Sequence, residues 1–140
     1  MSSKAIILRP QTTQEAEAEI RSAIDWLDSI SSDASERFAI RLREEITALC
    51  LILAEEIAQS ENGRMTRPEN AEASIYFSRP VYRHSLETGK HRQRRSSAGL
   101  WYIFFAVTDE DADGTPDTLR IFSVRHSARP SLAISASEDV

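Results

Sequence analysis

Two apolar stripes with helical spacing, separated by a short polar break, limit what this chain can fold into. Ile20, Ala23, Ile24, Leu27 and Ile30 recur at helical intervals, and after "SISSDAS" Phe38, Leu42, Ile46, Leu49, Leu53 and Ile57 do the same. That spacing puts each set on one side of an α-helix. The break allows only a turn back, so the two helices form an antiparallel αα-hairpin with an apolar side to bury. Thr12 with Glu15, and Asp33 with Glu36, have capping-box spacing and predict helix starts near Thr13 and Asp33. Glu15, Glu17 and Glu19 then complement the dipole of the first helix. Arg41, Arg43, Glu44, Glu45, Glu55 and Glu56 fill the polar side of the second.

Such a hairpin needs something flat to pack on, and the flanking segments supply strands. "KAIILRP" predicts a first strand from Lys4 to Arg9, stopped by Pro10, which lacks a ladder donor. Residues 58–75 are polar, with Gly63 and Pro68, and read as a long connector or insertion. "IYFSRPVYRHSL" is a candidate strand in which Pro80 marks an edge or a break. "LWYIFFAV", Leu100 to Val107, is apolar on both faces, as a central strand is. Thr118 to His126 completes the set. The polar "TDEDADGTPD" between the last two predicts an antiparallel hairpin. The order β-α-α-β-β-β implies an α+β domain, an antiparallel sheet of about four strands with the αα-hairpin on one face. The pattern predicts one domain over 1–130 and a loose tail over 131–140, the latter outside the residues that the structure describes.

Several function classes fall away on composition. The longest apolar run, "ALCLILA", is far below the roughly 20 residues that span a bilayer. "MSSKAIILRP" is too weakly apolar for a signal peptide. A lone cysteine, Cys50, lies in the helical stripe and reads as a buried thiol. These features predict a cytoplasmic protein with no membrane role. Four glycines include no phosphate-binding loop, and no serine stands in a G-x-S-x-G elbow. His84, His91 and His126 lack metal-ligand spacing. "DEDADG" opens like a calcium loop, but its twelfth position is Arg120 where calcium needs a bidentate glutamate. It reads as an acidic turn. Neither metal nor cofactor is expected.

Charge is unevenly spread. Residues 1–60 carry six Lys/Arg against eleven Asp/Glu, and 100–140 carry three against seven. Residues 61–99 reverse this, with eight against four. Within that basic island lie Arg79, Arg83, Lys90, Arg92, Arg94 and Arg95, with His84 and His91 among them. The last strand ends in Arg125 and His126, with Arg129 following. Arginine's planar fork suits phosphate and carboxylate alike, although cations on an edge strand also serve to block aggregation.

Taken together, three stretches resemble one family. "AEAEIRSAIDWLDSISSDASERFAIRLREEI" is similar to the paired helices of the RelE/ParE toxins of bacterial type II toxin–antitoxin modules. "GLWYIFFAV" resembles that family's central strand, and "IFSVRHSARP" its closing "I..V.H.AR" strand. The resemblance covers roughly residues 4–130. With only Lys4 and Lys90 in the chain, the lysine-rich patch of the RelE ribonucleases is missing, so the resemblance is nearest the ParE, or plasmid-stabilisation, branch. It implies a toxin that binds a target such as DNA gyrase and is neutralised by a cognate antitoxin wrapping it. Arg83, Arg95, Arg125 and Arg129 would meet the antitoxin's acidic groups. The alternative is a RelE-like, metal-independent endoribonuclease acting on messenger RNA at the ribosome. There Arg94, Arg95 and Arg125 would hold phosphate, and His126 or Tyr102 would act as acid–base groups. A third reading is an interaction domain without toxicity.

Overall fold

In the computed structural model, which describes residues 5–63, 65–88 and 99–128, Ser31 is both the end of one helix and the start of the next. Helix α1 spans Gln14–Ile30 and α2 spans Ser32–Gln59. The Ser31 N–H donates to Leu27 O at 2.8 Å, and its hydroxyl accepts from the Ala34 N–H at 3.3 Å. One extended residue therefore reverses the chain, and the cap is Ser31 rather than Asp33. Asp33 lies in the first turn instead, paired with Arg37 at 2.6 Å. Thr13 caps α1, its hydroxyl accepting from the Ala16 N–H at 3.2 Å, and Gln14 opens the helix.

The sheet has four strands in the order β1-β4-β3-β2: Arg9–Thr12, Thr118–His126, Leu100–Thr108 and Tyr82–Glu87. The last two strands in sequence, β3 and β4, pair antiparallel, as the polar turn predicts, β2 pairs antiparallel with β3, and the fold is α+β. The sheet is mixed rather than antiparallel throughout, because β1 runs parallel to β4. That first strand also sits later than Lys4–Arg9 and contains Pro10. The Arg9 N–H donates to Asp117 O, and the Thr13 N–H to Ile121 O, each at 3.0 Å. Alternate residues thus face β4, Pro10's missing N–H points out of the sheet, and an edge strand tolerates it.

One face of the sheet carries the αα-hairpin. Ala16, Ala23 and Leu27 of α1 and Phe38 and Leu42 of α2 pack with Leu86, Trp101, Ile103, Ile121 and Val124. Farther along α2, Leu49, Cys50, Leu53 and Ile57 pack with Leu8, Phe105 and Leu119. Burial pushes the Cys50 thiol up. Phe38 is fully buried against Trp101, and Phe38→Ala would cost about 3–5 kcal/mol through the cavity it leaves. Ile30 departs from the stripe; it ends α1 and is 64% exposed.

The connector is more structured than its polarity suggests. Glu56 accepts from the Thr66 N–H at 2.8 Å and the Thr66 hydroxyl at 3.1 Å, and pairs with Arg67 at 3.5 Å. Then Ala71–Phe77 forms a third helix, α3, capped by the Asn70 side chain. "IYFSRPVYRHSL" is therefore part helix and part strand. Ser78 takes a left-handed conformation that stops α3, and β2 begins only at Tyr82. Ala73 and Val81 pack on Phe104, Ala106 and Phe122, so α3 lies on the face opposite the αα-hairpin. No helix of the described residues is long and apolar enough to cross a membrane.

Candidate functional site

Strand alternation decides which charged groups can meet. Trp101 pairs with His126 and Leu86, on the helix side, whereas Tyr102 pairs with Arg125 and Ser85, on the other. Arg83 pairs with Phe104 and shares the face of Tyr102. Helix α3 covers the end of this second face that carries Phe104, Ala106 and Phe122, and Tyr102 packs partly buried at the margin of that cluster.

At that margin Tyr102 stands between two arginines. The Arg83 guanidinium lies 4.3 Å from the centre of the Tyr102 ring, a cation–π geometry. On the neighbouring strand, Arg125 Nε donates to Ser123 Oγ at 3.0 Å and lies 3.2 Å from Glu19. Ser123 donates in turn to the same Glu19 oxygen at 3.1 Å. This happens because β1 pairs with β4 only as far as Ile121, so α1 meets the rest of that edge. Arg125 Nη1 is buried without a partner among the described residues. Two more arginines flank Phe122, Arg79 at 5.3 Å and Arg120 at 5.8 Å. Arg120 and Arg125 are compensated by Glu110 and Glu19. Arg79 and Arg83 make no ion pair among the described residues.

His126 belongs to a different environment. Its ring makes edge contacts with Trp101 at 5.0 Å and Trp26 at 5.9 Å. Its Nδ1 accepts the Ala128 N–H at 3.1 Å, which puts the neutral ring's proton on Nε2. Tyr102 and His126, the two acid–base candidates, thus lie on opposite faces of the sheet. Arg94, Arg95 and Arg129 lie outside the described residues.

Several participants are not visible in the sequence alone. Glu19 reads there as dipole compensation, yet it holds Arg125. Glu45 and His84 meet at 2.6 Å between α2 and β2. Arg37 and Arg41 reach from α2 to the carbonyls of Thr88 and Glu87, at 2.9 and 3.4 Å. Helical spacing places Arg41 on the polar side of α2, but it does not reveal the strand that these arginines reach.

The acidic turn uses its carboxylates internally. Asp109 accepts from the Asp113 and Gly114 N–H groups, and Asp117 from those of Glu110 and Asp111. Hydrogen bonds from the Thr118 hydroxyl and from those two amides hold Asp117's carboxyl below the usual range. Among the described residues no group of three His, Cys, Asp or Glu side chains could hold a metal ion.

No protein-family model, curated protein or solved structure matches this chain.

Proposed function

We propose that this chain is the toxin of a type II toxin–antitoxin module, resembling the ParE branch of the RelE/ParE family and acting in the cytoplasm by binding its target. The reading starts from the three sequence stretches that resemble the family. The observation that carries it further is Arg83, which is exposed, lies over the Tyr102 ring and makes no ion pair among the described residues of a chain whose net charge is −5. Such a surface suits an anionic or carboxylate-rich partner. The placement of Tyr102 and His126 on opposite faces favours binding over RNA cleavage, because a base and an acid must both reach one scissile phosphate.

Inducing the protein alone in growing bacteria is expected to arrest growth, and co-expressing the product of the neighbouring gene to restore it. Filaments with broken DNA are the expected damage. Cleaved messenger RNA would turn the reading toward the endoribonuclease, and normal growth would turn it toward an interaction domain.

A further inference from the structure

Helix α3 is held firmly, but from one side only. Its Asn70 cap is itself tied down, the Asn70 N–H donating to Val81 O at 2.8 Å. The Ser74 hydroxyl accepts the Val81 N–H at 2.9 Å, and Ala73 and Phe77 pack on the sheet. Those two residues are four apart and mark the inner side of the helix, so Glu72, Ile75 and Tyr76 fall on the outer side. Ile75 is 80% exposed and Tyr76 42%, with the Tyr76 ring braced edge-on against Phe77 at 4.8 Å. Single apolar residues at a surface are ordinary, but these two are adjacent and stand on a helix fixed from beneath. The charges around them are ordered. Glu69 and Glu72 stand at the N-terminal end of α3 and Arg79 at the C-terminal end, all three exposed. The left-handed Ser78 closes the helix and the Arg79 N–H donates to Ser74 O at 3.1 Å, which keeps Arg79 beside the last turn. Its guanidinium meets the Phe122 ring at 5.3 Å, leaving edge N–H groups for a carboxylate, and it makes no ion pair among the described residues.

We propose that the outer side of α3 is a contact between two copies of this chain, related by a two-fold axis that passes between Ile75 and Tyr76. About that axis the two helices run antiparallel, so Ile75 of one copy faces Tyr76 of the other. Positions 72 and 79 are equidistant from the axis, and Glu72 of each copy therefore comes beside Arg79 of its partner. The acidic end of each helix meets the basic end of the other, and the apolar pair is covered between them. A patch of one sign would repel its own copy, whereas this one is complementary to itself. A helix of seven residues covers far less than the roughly 1,200 Å² of a stable interface, so the pair forms and parts with concentration. The contact goes beyond the toxin reading and needs no other protein.

The test is sedimentation velocity of the full-length chain between about 10 µM and about 1 mM, over which the wild type is expected to pass from monomer to dimer. Ile75→Gln removes exposed apolar surface without disturbing the inner side of α3, and it should weaken association about tenfold. Glu72→Lys and Arg79→Glu each set like charges against one another in a pair of identical copies, and each should stay monomeric through the range. Mixed in equal amounts, those two variants should associate again, because both contacts then join opposite charges. Glu72 lies in the first turn, where a cation opposes the helix dipole, so folding is checked by circular dichroism. Ile75→Gln carries no charge and decides the matter alone if a charge variant fails to fold. A wild type that is monomeric throughout overturns the proposal. So does an undiminished dimer in Ile75→Gln, which would place the contact on another surface. A mixture of the two folded charge variants that associates no better than either alone overturns it as well.

Discussion

Glu19, on the first helix, and Arg125, on the last strand, meet at 3.2 Å, and Ser123 bridges them with a hydrogen bond to each. The pair is mostly shielded, with side-chain exposures of 22% and 13%. Removing one partner from such a pair leaves a charge poorly compensated. Glu19→Gln is expected to destabilise the fold by about 1–3 kcal/mol, read as a drop in melting temperature of several degrees. A melting temperature equal to wild type would show that Arg125 finds equivalent compensation elsewhere.

His126 packs its ring against Trp26 and Trp101 and uses Nδ1 to hold the Ala128 N–H. Those are structural contacts, and aromatic pairs contribute roughly 0.5–1.5 kcal/mol beyond area burial. His126→Ala should therefore lower the melting temperature and alter tryptophan fluorescence. Compared at equal levels of soluble protein, it should still arrest growth. Loss of arrest at matched levels would point to a chemical role for the imidazole.

The helical hairpin is legible in the sequence because its stripe is long: Phe38, Leu42, Leu49, Leu53 and Ile57 are all buried where the spacing puts them. Short elements are not. Helix α3 spans only Ala71–Phe77, too little for periodicity to register, and its Asn70 cap sits in a polar run that reads as loop. Pro10 reads as a stop because sequence does not reveal which way a strand residue's nitrogen faces. The arginine–tyrosine surface is half legible. Arg83, Tyr102 and Arg125 each stand out by residue type, but their common face depends on register, and β3 and β4 slip at Phe104/Phe105. That same register separates Tyr102 from His126, which lie near each other in any linear alignment of the strands. Glu19 is invisible as a partner because nothing local distinguishes it from Glu15 and Glu17.

The turn between β3 and β4 is built by carboxylates that accept backbone N–H groups. Asp109→Ala removes two such bonds and is expected to cost about 1 kcal/mol. Because the same oxygens are occupied, millimolar calcium should leave the wild-type melting temperature unchanged. A rise in melting temperature with calcium would mean that the carboxylates exchange their amide partners for the ion.

Glu56 ties the connector to α2. Burial opposes its ionisation, but the Thr66 N–H and hydroxyl, with Arg67 alongside, outweigh this and hold its carboxyl below the usual range. A carboxyl more acidic in the folded chain than in the unfolded one stabilises the fold above its unfolded value, and that contribution is lost as pH falls toward the folded one. Wild type should thus exceed Glu56→Gln in melting temperature near neutrality, and the gap should close as pH is lowered from about 7 to about 3. The unaltered part of the acid limb, set by other carboxylates, should be common to both proteins. A gap that stays constant across this range would assign Glu56 a role independent of its charge, through hydrogen bonds that the glutamine amide fails to reproduce.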